Sequence, residues 1–432
     1  MTDPGSLRPT PGSPISPSPI PLWAGRTMAL VGILLVALNL RTAVASISPI
    51  AAQIGADIPL TAVGLGLIGM VPPVAFAASG FVAAPGARKL GLERMLILAL
   101  LAMVAGLLVR AVAGNYAVLL TGNVLALAGA GVGNILLPPL VKRYFPDRIG
   151  LITSLYATVM SVSTALPAGL AAPITAVVGW RSSLGIWSIL ALTSAIPWLM
   201  LLLHHRRERT SLLEDAGEDL TPAPELLSQI WRSRVAWVLA IAFSISGFHA
   251  YAMFAWLPEL LVQTAGVTPI HAGGLLSLFS LMGVPAALIV PILATRMKNV
   301  GLLVGAGIAC FVLGYLGLLL APASAPLLWV ALIGSGPLIF PACLVLINLR
   351  SRTHEGAVAL SGFVQAVGYA IGALGPLLIG FLHELTGGWT LPLLVLIGTA
   401  LAATFTAVLL RTPVFVEDDL LRARRRSLLR PR

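Results

Sequence analysis

Apolar stretches long enough to cross a membrane recur along the chain, and short segments rich in polar residues separate them. A helix needs roughly 20 apolar residues to span a bilayer, and backbone polar groups in lipid must be paired within the helix. Twelve stretches meet this requirement, in two sets of six with a polar segment between the sets. They are residues 28–50, 62–84, 94–112, 116–138, 150–176, 182–203, 234–257, 272–294, 301–321, 326–347, 358–382 and 390–410. The pattern predicts an all-α integral membrane protein with twelve transmembrane helices.

Composition and charge support this reading. Charged residues make up 10% of the 432, against about 25% in soluble proteins. If both termini are cytoplasmic, all but three of the 27 Lys and Arg fall on the tails and cytoplasmic connections, the exceptions being Arg41, Arg110 and Arg181. This asymmetry predicts a multi-pass plasma-membrane protein with cytoplasmic termini. It also explains the net charge of +11 by topology, so a nucleic-acid partner is not expected.

The same pattern predicts a division into two related halves. The expected segments are a disordered tail (1–26), an N-terminal bundle (27–203), a cytoplasmic linker (204–233), a C-terminal bundle (234–410) and a basic tail (411–432). The stretch "SISPIAAQIGADIPLTAVGLG" aligns with "AWLPELLVQTAGVTPIHAGGLL", which places Pro49 opposite Pro258. Weak internal symmetry of this kind is typical of transporters whose halves rock about a central site.

Arg41 is the first candidate site residue because it lies in the middle of the first span, in "ALNLRTAVASISP". An arginine at a helix centre costs about 2.5–3.5 kcal/mol on insertion scales, so it persists where it faces a polar cavity or a partner. No Asp or Glu occurs in the middle of any span to pair with it. Arg41 is therefore either an anion site or a structural arginine bonded to backbone carbonyls, Asn or Gln.

The seventh span supplies further candidates. When the halves are aligned, Ala250 falls opposite Arg41, so the neighbouring His249 lies at nearly the same depth. His249 could bind solute, carry a proton or simply be packed in neutral form. Glu259, near the outer end of the same helix, is the next candidate for proton coupling. Trp256 shares a face with His249 and is either a site residue or an interfacial tryptophan.

Other polar residues within spans are candidate solute contacts, although each could instead form a hydrogen bond between helices. They are Asn39, Asn134, Tyr156, Gln365 and Tyr369. Gln365 and Tyr369 are four residues apart and so share a helix face.

No motif for enzymatic chemistry is found. The stretch "GLGLIG" has the glycine spacing of a dinucleotide loop but lies inside an apolar span without a preceding strand. A P-loop lysine, zinc-ligand spacing and a Ser, His and Asp constellation are absent from the sequence. No cofactor or metal is expected, and an embedded enzyme or sensor is the alternative from another functional class.

Four stretches carry a resemblance to a known family. They are "NLRTAVASISP", "GVGNILLPPLVKRYFPDRIGLITSLYATVMS", "GWRSSLGIW" and "FAWLPELL". In these the chain resembles the major facilitator superfamily and, within it, the cyanate and nitroimidazole transporter branch. The resemblance implies two six-helix bundles, alternating access and secondary, usually proton-linked, transport of small planar anions or nitro-heterocycles. It also implies a gating loop at "APGARKLG", where Arg88 replaces the family's acidic residue and Lys89 and Gly91 are kept.

The sequence therefore predicts a secondary transporter of a small anionic or nitro-aromatic solute, with Arg41 as the anchor. A proton-driven exporter of drugs or nitro compounds is the alternative, and the lack of a mid-membrane carboxylate speaks against it. The expected partners are the solute, membrane lipid and protons as coupling ion, and the chain is expected to act as a monomer.

Overall fold

The computed structural model describes residues 26–205 and 229–420. The predicted N-terminal tail, most of the predicted linker and the end of the basic tail lie outside these residues. Within the described ranges the regular structure is helical throughout, with no strands. The predicted all-α fold is confirmed.

Among the described residues, eleven helical stretches are long and apolar enough to cross a membrane, and the longest, Ile149–Leu203, contains two crossings. The helix breaks at Gly179, whose φ of 80° and ψ of 161° lie outside the helical region, and the segments on both sides of the break pack against the first helix. Twelve membrane helices result, as predicted. They are α1 (Thr27–Ala45), α2 (Ala62–Leu90), α3 (Leu92–Ala111), α4 (Tyr116–Tyr144), α5 (149–178), α6 (180–205), α7 (Arg234–Ala265), α8 (Pro269–Arg296), α9 (Gly301–Leu320), α10 (Pro326–Leu349), α11 (Ala359–Thr386) and α12 (Thr390–Leu409).

The helices alternate in direction and form an N-terminal half, α1–α6, and a C-terminal half, α7–α12. We call the end of the bundle where α1 begins and α12 ends the terminal face, and the other end the opposite face. The α2–α3 and α4–α5 connections lie at the terminal face. The α1–α2 and α5–α6 connections lie at the opposite face.

Helix α1 is discontinuous near the middle of the membrane. Its first part ends at Asn39, residues 40–41 form a turn, and the helix resumes at Thr42 before a 3₁₀ turn at Ser48–Ile50. The Thr42 hydroxyl donates to the Asn39 carbonyl oxygen at 2.9 Å. A carbonyl freed by the break thus finds a local partner, as lipid-embedded backbone requires.

The two halves touch closely through glycine. A side-chain carbon at Gly66 of α2 would lie 2.9 Å from the Pro376 carbonyl oxygen of α11, and one at Gly273 of α8 would lie 2.6 Å from the Ala168 carbonyl oxygen of α5. Small residues permit such backbone approach in membranes.

Hydrogen bonds join the halves in the same region, between mid-membrane and the opposite face. The Ser277 hydroxyl donates to the Ala165 carbonyl oxygen at 2.6 Å. At the opposite face, the backbone amide of Val63 donates to the Glu384 carboxylate at 3.0 Å. The halves are therefore packed together at that end of the bundle.

At the terminal face, polar contacts hold the helix ends within each half. Glu93 at the start of α3 accepts a hydrogen bond from the Tyr144 hydroxyl at 2.8 Å and pairs with Arg143, both at the end of α4. In the C-terminal half, Asp419 accepts hydrogen bonds from the Ser233 hydroxyl and from backbone amides at the start of α7. These contacts stabilise each half separately.

Candidate functional site

Arg41 lies at the break in α1, at the boundary between the two halves. Because the break frees its backbone amide from helical hydrogen bonding, this amide donates to the Ser163 hydroxyl of α5 at 3.0 Å. The side chain is partly exposed, and its Cζ lies 4.9 Å from the centre of the Phe76 ring of α2. Stacking of a guanidinium on an aromatic face is a favourable cation–π contact.

Two tyrosines of the C-terminal half face Arg41 across this boundary. Tyr251 of α7 and Tyr369 of α11 both lie within electrostatic range of the guanidinium, and Tyr251 is the nearer of the two. The Tyr369 ring packs edge-to-face on Phe243, with centroids 5.3 Å apart, so its position is fixed from behind. The site therefore combines one cation, two hydroxyl groups and an aromatic wall, with contributions from both halves.

No carboxylate neutralises the Arg41 charge within the described residues. The ion pairs found there involve Asp and Glu at the two faces of the bundle. A permanent cation at this depth without an ionic partner has unused donor capacity, because a guanidinium presents five N–H groups. The group can receive an anion or a polarised planar solute.

A second intramembrane arginine, Arg110 of α3, has a structural role. It is fully buried, and its guanidinium donates to Ser46 Oγ at 2.7 Å, to Asn123 Oδ1 at 3.1 Å and to the Ala43 carbonyl oxygen at 3.3 Å. Two of these acceptors, Ala43 and Ser46, follow the break in α1. Arg110 therefore fixes the interrupted part of α1 that follows Arg41.

The site is closed toward the opposite face. A cavity of about 20 Å³ lies beside Tyr251 and Phe254, bounded by α1, α2 and α7. This volume can hold about one water molecule and does not admit a solute.

Three predicted site residues lie nearer the terminal face than Arg41 does. Asn134 of α4, Tyr156 of α5 and Gln365 of α11 are partly exposed and belong to the parts of their helices nearer the terminal face. The Gln365 amide donates to Ser361 Oγ at 2.8 Å within its own helix. Tyr369, one turn deeper on the same helix, is the predicted residue that the structure brings to Arg41.

Other predicted site residues face away from Arg41. Asn39 is buried against α6, where its amide donates to Ser194 Oγ at 3.4 Å. His249 lies inside the C-terminal half, with Nδ1 3.1 Å from the Tyr315 hydroxyl and Nε2 3.4 Å from the Thr399 hydroxyl.

Trp256 and Glu259 lie farther toward the opposite face. Trp256 is fully buried, and its Nε1 donates to the Pro376 carbonyl oxygen at 2.8 Å. Glu259 accepts from Gln263 at 3.0 Å and lies 3.9 Å from the His383 imidazole. Neither side chain contacts Arg41 in this conformation.

The predicted gating loop is a sharp connection at the terminal face. Helix α2 ends at Leu90, and Gly91 has a φ of 87°, a conformation that favours glycine. Arg88 and Lys89 occupy the last helical turn and are exposed. Cations at this end of a helix complement its dipole.

The family of the chain follows from comparison with known proteins. The sequence profile of the Major Facilitator Superfamily matches residues 29–373. The chain belongs to the major facilitator superfamily. Membership confirms the predicted resemblance and identifies a secondary transporter rather than an enzyme.

Two relatives within the superfamily cover most of the chain. The chain is 32% identical to the 2-nitroimidazole transporter of Escherichia coli (strain K12) over 393 residues, 89% of this chain and 94% of that protein. It is 25% identical to the cyanate transport protein CynX of the same organism over 366 residues, 83% of this chain and 91% of that protein.

A solved structure supports the major facilitator fold. A bacterial homologue of the human lysosomal transporter Spinster superposes with a TM-score of 0.68 at 15% identity. The match covers 93% of this chain and 98% of that chain. At this identity the likeness concerns the fold alone.

Proposed function

We propose that this transporter moves a small anionic or nitro-aromatic solute across the plasma membrane by alternating access, with Arg41 as the anchor of the solute. The observation that carries the proposal is the position of Arg41 between the halves, partly exposed and without a carboxylate partner among the described residues. A planar guanidinium binds carboxylate-like groups through paired hydrogen bonds.

The surroundings of Arg41 support a planar solute. The Phe76 ring and the tyrosine rings offer flat apolar surfaces, and the hydroxyl groups of Tyr251 and Tyr369 can donate hydrogen bonds to oxygen atoms. The names of the two relatives, which refer to cyanate and to 2-nitroimidazole, are consistent with this chemistry.

Charge distribution supports the proposed orientation, with the terminal face in the cytoplasm. Of the basic residues described outside the membrane, Arg181 lies at the opposite face and the others lie at the terminal face. Basic connections are retained on the cytoplasmic side. The opposite face, where the halves are packed together, would then lie on the outer side of the membrane.

A proton is the proposed coupling ion, and His249 is the first candidate to carry it. Its contacts join α7 to α9 and α12 inside the C-terminal half. A change in protonation would alter these contacts and could be transmitted to Tyr251 on the same helix. Glu259 is the second candidate.

The proposal is tested with purified protein in liposomes, using cyanate, 2-nitroimidazole and small aromatic carboxylates as solutes. Arg41→Lys keeps the charge but loses the planar fork, so we expect weaker binding, and we expect Arg41→Ala to abolish transport. Charged hydrogen bonds contribute about 1.5–3 kcal/mol each, so the loss of one or two corresponds to a fall in affinity of roughly tenfold to several hundredfold or more.

Arg181→Ala is the matched control, since it removes an equal charge at the opposite face. Normal transport by a correctly inserted Arg41→Ala protein would contradict the proposal. If Arg41→Ala is absent from the membrane while Arg41→Lys is inserted and transports at the wild-type rate and affinity, the arginine is structural.

A further inference from the structure

The N-terminal half carries a second cavity, which is separate from the site between the halves. It is a groove of about 570 Å³ between α2 and α3, with α4 as its floor. Its lining is apolar except for Ser79, whose hydroxyl is bonded to the Ala75 carbonyl oxygen of its own helix. The volume lies within the range of about 300–1,000 Å³ that ligand pockets occupy.

The groove faces the membrane rather than the space between the halves. Val82, Leu98 and Val124, one from each of its three helices, are between 46% and 56% exposed. Along α2 the lining extends from Leu67 to Val82, which is roughly 22 Å at the helical rise. One leaflet of the hydrocarbon core is about 15 Å thick, so the groove can accommodate an extended acyl chain.

Cations lie at the terminal end of this groove. Lys89 follows Val82 by seven residues and Arg94 precedes Leu98 by four, so each continues a helix face that lines the groove. Both are exposed, and Arg88 lies beside them. The neighbouring acid, Glu93, is buried and directed toward Arg143 and Tyr144 of α4, and so does not neutralise them.

We infer that the groove binds an anionic phospholipid, with one acyl chain between α2 and α3 and the phosphate headgroup held by Lys89 and Arg94. The apolar walls match the acyl chain, and the exposed cations match the phosphate. Basic residues near a membrane surface attract anionic lipid. The other side of α2 packs on α11 through Gly66 and Gly69, so a bound lipid contacts a helix of the moving interface.

The test uses the full-length protein, purified and reconstituted with phosphatidylglycerol or phosphatidylcholine, with bound lipid counted by native mass spectrometry. The double variant Lys89→Gln/Arg94→Gln removes the two headgroup contacts. We expect its affinity for phosphatidylglycerol to fall by roughly tenfold or more, given the contribution of each basic residue, with binding of phosphatidylcholine unchanged.

The matched control is Arg296→Gln/Lys298→Gln, on the exposed α8–α9 connection at the same face of the other half. We expect this control to retain wild-type affinity. An equal loss in both double variants would mean that the lipid is attracted by surface charge alone, and would overturn the inference.

A third variant tests whether the acyl chain lies in the groove. Ala78 is exposed and lines the groove, so Ala78→Phe fills the groove without displacing packed side chains. We expect the bound phosphatidylglycerol to be lost although Lys89 and Arg94 are intact. Retention of the lipid by Ala78→Phe would place the acyl chain elsewhere and contradict the groove site.

Discussion

The backbone amide of Arg41 donates a 3.0 Å hydrogen bond to the hydroxyl of Ser163, 122 residues further along the chain. This bond exists because α1 is interrupted at Arg41, which leaves the amide without a helical acceptor. Ser163 is buried on α5, a helix that also contacts the C-terminal half through Ala165. The position of the proposed solute anchor is thus tied to a helix of the interface.

Removal of the Ser163 hydroxyl should make the position of Arg41 less fixed while leaving its guanidinium in place. We expect Ser163→Ala to lower solute affinity by roughly two- to tenfold, because a typical hydrogen bond contributes about 0.5–1.5 kcal/mol net. Thr164→Val is the control, since the Thr164 hydroxyl bonds only within its own helix. Affinity measured by isothermal titration should fall in the first variant only, and equal affinities would exclude a positioning role for Ser163.

The tyrosine hydroxyl groups should contribute to solute binding separately from their rings. We expect Tyr251→Phe and Tyr369→Phe each to lower affinity several-fold, since each ring remains in place while one donor is lost. Tyr116→Phe serves as the control because its hydroxyl bonds the Gly64 carbonyl oxygen in the N-terminal half. Exchange assays in liposomes give the three affinities, and a loss confined to Tyr116→Phe would argue for a site elsewhere.

Coupling to protons can be separated from binding at His249. We expect His249→Gln to preserve solute exchange and to abolish accumulation driven by a proton gradient, since exchange requires only binding and the conformational change. Thr399→Val removes one hydrogen-bond partner of His249 but keeps the titratable ring, so coupling should persist in this control. Unchanged accumulation in His249→Gln would leave Glu259 as the candidate.

Arg110 should be required for folding rather than for binding. We expect Arg110→Ala to reduce the yield and melting temperature of the protein, because Ser46, Asn123 and the Ala43 carbonyl oxygen would lose their buried donor. Each unsatisfied buried group costs about 1–3 kcal/mol. Fluorescence-detected size exclusion provides the measurement, with Arg41→Ala as the comparison that should stay folded.

The α1–α2 connection should weaken in acid. Asp57 accepts hydrogen bonds from Trp180 Nε1 at 2.9 Å and from Arg181 at 2.7 Å, and these contacts lower its pKa below the ordinary value of 3.8. Because the folded-state pKa is the lower one, the stabilisation is present above pH 3.8 and is lost as pH falls through the folded-state value.

The corresponding experiment compares the wild type with Asp57→Asn. We expect the wild type to have the higher melting temperature at about pH 5 and the difference to shrink at about pH 3. The effect should be small because the pair is exposed. A difference that is independent of pH would mean that the carboxylate charge does not stabilise this connection.

The membrane helices could be predicted because hydropathy alone determines them. Each span needs about 20 apolar residues, and the predicted gap between 176 and 182 contains Gly179, where the chain reverses. Arg41 stands out in the sequence because an arginine at that depth costs free energy, and its role as the solute anchor stays a prediction.

The sequence could not show which way each candidate side chain points around its helix. In an apolar membrane helix the hydrophobic pattern does not distinguish the side that faces lipid from the side that faces the protein. His249 and Tyr251 are two residues apart, so they point to different sides of α7. The prediction chose His249 for its titratable ring, whereas the structure directs Tyr251 to Arg41. Asn39 points away from Arg41 for another reason, because the break in α1 separates the directions of the two side chains.

Glycine contacts between the halves affect the entropy change when the halves separate and close again. Gly66 lies against the Pro376 carbonyl oxygen and Gly273 against the Ala168 carbonyl oxygen. At both contacts the glycine presents a hydrogen atom where another residue would present a side chain. Separation at these points frees no glycine side-chain rotamers, and closure orders none, so this part of the conformational entropy stays nearly constant. Substitution of either glycine by a larger residue would therefore have two effects. The new side chain would clash with the other half when the halves are packed together, and its rotamers would have to be ordered each time the halves close.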